Sequence, residues 1–394
     1  MRVLAACSLG GSGHLNPLLP LLRAAEGLGH ETLVAGPPAL AELVEAAGQR
    51  FWPCGEPPES EVAPIRERLA LAPPREASEL ANRELFGRLA TAAMLGPMQE
   101  LFDRWRPELV WREPCEYASA VLALAAGIPT HQVAVSLASV EAASIRVAAP
   151  ALERWRTGLA DELMASWYLS GFPASMDPSA FASTGRFHVA AGPVADDPGR
   201  WWPPVGGPRL YVSFGTVLGH MSIAADVLRT VLRAVSELRA SVLFTVGRRF
   251  DPSELGPLPD HVRVEQWVEQ SEALELADAV VCHGGSGTTF GALAAGVPVL
   301  AVPLFSDQFE NARRVASAGA GALFERRPEA RSGVVDGRDA PRLAEAIVGL
   351  LGDGDLSIGA KRVAGELAAT PEVTELVETV LAGEEPSAHR LKDG

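Results

Sequence analysis

The 394-residue chain predicts an α/β protein of two similar-sized domains, each a parallel β-sheet covered by helices. Three observations point there. Apolar strand runs alternate with helix patterns from Val3 onward, and such alternation implies parallel strands joined by crossover helices. Residues 196–208 (DDPGRWWPPVGGP) crowd Pro, Gly and Trp into a stretch that can continue neither helix nor strand, as a domain boundary does. Beyond it the alternation restarts at Leu210.

In the first half, residues 3–7 (VLAAC) read as a strand leading into a Gly-rich turn. Asn16 suits a helix N-cap and Pro17 the first helical position. Leu18, Leu21, Leu22, Ala25 and Leu28 follow helical spacing, and Gly29 fits the stop. Residues 31–35 read as a second strand. The stretch 61–106 is helix-rich and carries Phe86, Met94, Met98, Phe102 and Trp105, which form either a core stripe or the lining of an apolar ligand site. A strand at 109–111 and a helix at 117–126, closed by Gly127 and Pro129, follow.

After the boundary come strands at 210–214, 241–246, 262–264, 279–282 and 297–302, with helices at 224–238 and from the 283–288 turn to Ala295. Residues 371–381 form a last helix, and the final GEEPSAHRLKDG reads as a frayed tail. The division is thus 1–195, a linker 196–208, 209–370, and 371–394.

Composition narrows the function. With 47% hydrophobic and 21% charged residues the chain can bury large cores. A formal charge of −15 disfavours nucleic acid or an anionic bilayer as partner, since both select clustered positive charge. Lys361 and Lys392 are the only lysines, which excludes a P-loop and leaves any anion to arginines or backbone amides. Cys7, Cys54, Cys115 and Cys282 have no Cys-x-x-Cys spacing and read as reduced thiols. The apolar stretch 3–6 is shorter than the core of a signal peptide, and no run approaches a membrane span, so the chain reads as cytoplasmic.

Several general motifs fail. Residues 10–14 (GGSGH) and 284–288 (GGSGT) each miss the G-x-S-x-G elbow at its last position, and no H-E-x-x-H occurs. Asp353-Gly354-Asp355 follows a helix and reads as a solvated turn. The informative segment is 278–289 (DAVVCHGGSGTT): a strand, then His283, Gly285, Ser286, Gly287 and Thr288 opening a helix. Glycines let a phosphate approach the backbone, and a helix start favours negative charge. Ser213-Phe214-Gly215-Thr216 is a second such loop and 303–311 (PLFSDQFEN) a third, with Asp307 and Glu310 spaced as a capping box would be. All three lie at carboxyl ends of strands, where open α/β sheets bind ligands. In the first half His14 precedes a helix start and Glu113 ends a strand; cap and surface roles are open to both, as is a general base whose imidazole a carboxylate orients.

Together these residues resemble the nucleotide-sugar glycosyltransferases of the two-domain GT-B fold that act on plant secondary metabolites, macrolides and bacterial antibiotics. The resemblance spans essentially the whole chain: Gly13-His14-Leu15-Asn16-Pro17, SFGT at 213–216, Trp267 with Gln270, HGGSGTT at 283–289, and Pro303, Asp307-Gln308 and Asn311. It implies two Rossmann-like domains facing a central cleft, with the last helix returning to the first domain. It also implies that His14 deprotonates an acceptor hydroxyl with Glu113 as its acidic partner, where the plant enzymes usually carry Asp. Trp267 stacks on the nucleobase with the Val268 backbone at its edge, followed by Glu269 in place of the usual Pro and then by Gln270. Thr216, His283, Gly285, Ser286, Gly287 and Thr288 hold the diphosphate, Ser213 and Gly215 belong to the same donor site, and Asp307 and Gln308 take the sugar hydroxyls. Ser12, Gly13, Phe86 and Met94 are candidates to touch the acceptor.

The implied reaction is a metal-independent, inverting transfer from a dTDP-sugar, or alternatively UDP-glucose, to a hydrophobic natural-product aglycone. A homodimer is open to such a chain. A nucleotide-sugar epimerase and a non-catalytic partner on the same fold are the rival readings.

Overall fold

Short aliphatic runs become the buried strands. In β1 (Arg2–Ala6) four of five residues are buried, and in β4 (Leu109–Arg112) all four are, as expected where helices cover both faces of a parallel sheet. The computed structural model describes residues 1–190, 197–216, 218, 223–325, 327 and 335–384. Its contacts group the chain into two units, one of Met1–Ala190 with Thr370–Gly394 and one of Ala191–Ala369.

The first unit holds a seven-stranded sheet in the order β3-β2-β1-β4-β5-β6-β7. The remaining strands are β2 (Glu31–Gly36), β3 (Phe51–Pro53), β5 (Thr130–Val133), β6 (Trp167–Ser170) and β7 (Ser183–Arg186), and every pairing is parallel. The order reverses between β1 and β4, so loops leaving these two strands flank the crevice that such sheets use for ligands.

One face packs Leu18, Leu21, Leu22 and Ala25 together with Val373, Leu376, Val377 and Val380 of the helix Val373–Leu381. The other face packs Met94, Met98 and Leu101 of the helix Thr91–Trp105. Helices fill 59–105 as expected, with residues Ala81–Ala90 wound as a π-helix.

The N-cap expected at Asn16 does not form. A one-turn helix, Ser12–Leu15, already precedes it, Asn16 sits in helical conformation at its C-terminal end, and the next helix is Leu19–Gly27. Pro17 has no N–H to give and interrupts what would have been one helix.

The second unit holds β8 (Arg209–Ser213), β9 (Ser241–Thr245), β10 (Val262–Glu265), β11 (Ala279–Cys282), β12 (Val299–Ala301) and β13 (Gly321–Leu323). They run in the order β10-β9-β8-β11-β12-β13, all parallel, which puts the reversal between β8 and β11. The helix Ala224–Ser236 buries Val227, Leu228, Val231, Leu232 and Val235 on one stripe, each worth about 1.5–3 kcal/mol when fully buried.

Residues 197–208 pack on this unit through a 3₁₀ turn, Pro198–Trp201, whose Trp201 Nε1 donates to Glu272 at 2.7 Å. Asp353 is not in a free turn: its carboxylate accepts from the backbone N–H groups of Asp355 and Leu356 and caps the helix Gly354–Ala368. Of the tail, residues 385–394 lie outside the described residues, as does Asp196 at the start of the expected linker. All four cysteines are free thiols. Among the described residues no helix is long and apolar enough to cross a membrane.

Candidate active site

In the first unit, β1 runs into the turn 8–11, and His14 lies in the single helical turn that follows. Glu113 stands one residue past β4, its N–H donating to the Ala6 carbonyl at 3.0 Å, so it extends the β1–β4 ladder to the same strand ends. Its carboxylate is 0% exposed. One oxygen accepts from the Ser8 N–H at 3.0 Å and the Ser8 hydroxyl at 2.5 Å. The other accepts from the Cys115 N–H at 2.8 Å and meets His14 Nδ1 at 2.9 Å.

Burial alone pushes this carboxyl up. The positive charge and hydrogen bond of His14, with the bonds from Ser8 and Cys115, outweigh burial and hold it at about 2. An ionised Glu113 favours the proton on Nδ1 of the 25% exposed His14 imidazole, which puts the ring's basic lone pair on Nε2.

Beneath this pair lies a polar cluster that the sequence reading missed. Arg112 is fully buried and donates to the carbonyls of Glu113 at 3.2 Å, Pro114 at 3.3 Å and Glu116 at 3.0 Å, and to Gln132 Oε1 at 2.6 Å. Its guanidinium thereby fixes the turn that presents Glu113. An arginine closing an otherwise apolar strand was the available signal.

A carboxyl depressed by folding contributes stability that is present above its ordinary value near 4.5 and lost as pH falls toward about 2. Glu113 therefore stays charged through the working range. Glu113→Gln keeps the shape but removes the negative charge that favours imidazolium. The expected result is an acid limb of kcat/KM moved about one unit to lower pH, with a lower plateau; a limb and plateau identical to wild type would uncouple the two residues.

Ser12 and Gly13 share the turn that carries His14, the first half-buried and the second exposed. Phe86 is half-buried in the π-helix. Met94 is 2% exposed and packs with Leu4, Leu33 and Met98, so it is a core residue and not part of an acceptor surface. Its helix turns that position toward the sheet, as the stripe reading of 61–106 allowed.

In the second unit, β8 and β11 deliver the two glycine loops to the point where the strand order reverses. Gly215 has φ 69° and Gly284 φ 84°, conformations that favour glycine. The helix Ser286–Ala294 begins after extended Gly285, so the N–H groups of Ser286, Gly287 and Thr288 have no carbonyl ahead of them and point out of the helix start. The His283 ring is wedged between two backbones: a Cβ at Gly215 would come within 2.9 Å of its Cε1, and one at Gly285 within 2.4 Å of its Nε2. Burial pushes this imidazole down to about 4, against the nearby Asp307 charge. A ring held neutral in this way can meet an anion only by donating a hydrogen bond.

Asp307 Oδ2 accepts from Ser286 Oγ at 3.2 Å and from Asn311 Nδ2 at 3.3 Å. Buried Asn311 also donates to the Gly284 carbonyl at 2.9 Å, tying the loops after β11 and β12 together. The capping box suggested by Asp307 and Glu310 does not form: Asp307 makes no side-chain cap, and Glu310 pairs with Arg314 at 2.9 Å. Gln308 is 3% exposed, and its Oε1 accepts from Leu304 N at 2.8 Å and Phe305 N at 3.0 Å. Its oxygen thus holds the loop after β12 in place.

Ser213 and Thr288 are buried, as is Val268, whereas Trp267 is 44% exposed. Gln270 Nε2 donates to the Gly287 carbonyl at 3.3 Å, bracing the helix start from the Trp267 side. Among the described residues no group of three or more His, Cys, Asp or Glu side chains is placed to hold a metal.

Two family models match the chain: the N-terminal domain of erythromycin biosynthesis protein CIII-like proteins over residues 22–190, and their C-terminal domain over residues 229–382. The L-demethylnoviosyl transferase of Streptomyces niveus is 31% identical over 389 residues, covering 97% of this chain and 98% of that protein. The TDP-daunosamine transferase DnrS of Streptomyces peucetius is 26% identical, covering 96% of each. Among solved structures, the glycosyltransferase SnogD from Streptomyces nogalater superposes with a TM-score of 0.74 at 28% identity, over 97% of this chain and 99% of that one.

Proposed function

Since the chain belongs to the erythromycin biosynthesis protein CIII-like family and is an antibiotic-type glycosyltransferase of the GT-B fold, we propose that it moves a deoxysugar from a dTDP-sugar to a hydroxyl of a natural-product aglycone, with inversion. The first unit holds the acceptor and the second the donor. His14 Nε2 takes the proton from the acceptor hydroxyl, the freed oxygen attacks the anomeric carbon, and the bond to the nucleoside diphosphate breaks with its electron pair leaving on the phosphate oxygen. Glu113 stays ionised and stabilises the imidazolium that forms.

The observation that carries this reading is the 2.9 Å contact between His14 Nδ1 and a fully buried, four-times hydrogen-bonded carboxylate. That arrangement favours the tautomer with its proton on Nδ1, so that the ring's basic lone pair lies on Nε2. The leaving diphosphate is met by the amides of Ser286, Gly287 and Thr288 and by His283, donors aimed where negative charge develops. The dTDP assignment is supported by the relative whose name specifies a TDP-sugar.

Calorimetric titration with dTDP and UDP, each in the presence of a chelator, tests the donor half. Tighter binding of dTDP without metal is expected. Preference for UDP would move the donor to UDP-glucose, and binding that needs a divalent ion would overturn the metal-independent reading.

A further inference from the structure

The turn after β9 brings an arginine onto the ring of Trp267, which the family resemblance sets against the nucleobase. Gly247 has φ 88°, and a Cβ there would lie 3.4 Å from the Gly215 carbonyl, so the turn abuts the loop after β8. The next residue, Arg248, sets its guanidinium carbon 4.5 Å from the centroid of the Trp267 ring. Gln266 Nε2 donates to the Phe250 carbonyl at 3.0 Å and clamps the two segments together. Arg248, Pro252, Val264, Gln266 and Trp267 line a cavity of about 440 Å³, within the ordinary range for a small-molecule site.

Both Arg248 and Trp267 are exposed. A planar cation lying over an exposed indole offers a stacking site for a third flat group, because a guanidinium stacks on aromatic planes in a way that an ammonium does not. We infer that Arg248 is a donor-binding residue: the base of the nucleoside diphosphate enters between Trp267 and Arg248, and the guanidinium, on its solvent-exposed stem, lifts by one ring thickness to become the outer plate. This rests on the donor reading above. It adds a residue that contacts the base by its plane rather than the phosphates by its charge.

The test compares wild type, Arg248→Ala and Arg248→Lys by calorimetric titration with dTDP and by competition with thymidine, which has no phosphate. Arg248→Ala should weaken dTDP and thymidine alike, by about 3- to 30-fold, and Arg248→Lys should recover little of the loss. A loss confined to dTDP, or full recovery by Lys, would place Arg248 on the diphosphate and overturn the base assignment. Affinities unchanged in both variants, with wild type binding dTDP, would overturn the role of Arg248 alone. Absence of dTDP binding by wild type would overturn the donor reading and this inference with it. Because Arg248 is exposed, an unchanged melting temperature confirms that the variants are folded.

Discussion

His14→Ala should lower turnover by about 10²–10⁴ while nucleoside diphosphate affinity stays at the wild-type value. The rate loss follows from chemistry: an acceptor hydroxyl is a weak nucleophile until its proton has somewhere to go, and Nε2 of His14 is the proposed acceptor for that proton. The unchanged affinity follows from placement, since every residue assigned to the donor lies in the second unit and His14 in the first.

The substitution also takes from Glu113 a charge-assisted partner at 2.9 Å, worth about 1.5–3 kcal/mol. The melting temperature should therefore fall, and rates must be compared well below it. Turnover equal to wild type would remove His14 as the base. A parallel loss of dTDP affinity would mean that the turn 12–15 also shapes the donor site.

Gly285→Ala carries the second large effect. The new methyl would sit 2.4 Å from His283 Nε2, and the ring cannot retreat, because its other edge already meets the backbone at Gly215. Either the imidazole leaves its place or the start of the helix Ser286–Ala294 shifts, and both spoil the anion site. Overpacking of this kind costs about 1–3 kcal/mol; falling on the anion site, it corresponds to roughly 5- to 150-fold weaker dTDP binding by calorimetry. Wild-type affinity in this variant would show that the His283 wedge plays no part in holding the diphosphate.

How far the sequence could be read depended on whether one position had one physical job. The loop 283–288 was legible because a buried apolar run, three glycines and a helix start leave little else for those residues to form. Strands β5 (THQV), β6 (WYLS) and β7 (STGR) were not, since polar residues interrupt the apolar pattern and their pairing is set by neighbours distant in sequence. Asn16-Pro17 looked like a cap because cap chemistry is local, yet the turn 12–15 had already begun the helix. Asp307 and Glu310 had capping-box spacing, but the carboxylate of Asp307 is drawn to Ser286 and Asn311, a contact no local rule contains. Arg112 and Arg248 escaped for the same reason: their partners lie across a turn or on another strand.

The helix Val373–Leu381 completes a core whose other parts all lie before residue 191. On the ribosome those earlier residues emerge about 180 positions ahead of it, a delay of about 10–40 s at ordinary elongation rates. Throughout that interval Leu18, Leu21 and Leu22 lack the final layer that seals them. The core of the first unit thus lacks its last layer until that helix has been made, and a stop codon before residue 373 would leave it without that layer. Transposing the sequence of that helix to follow residue 190 through a linker would remove the wait.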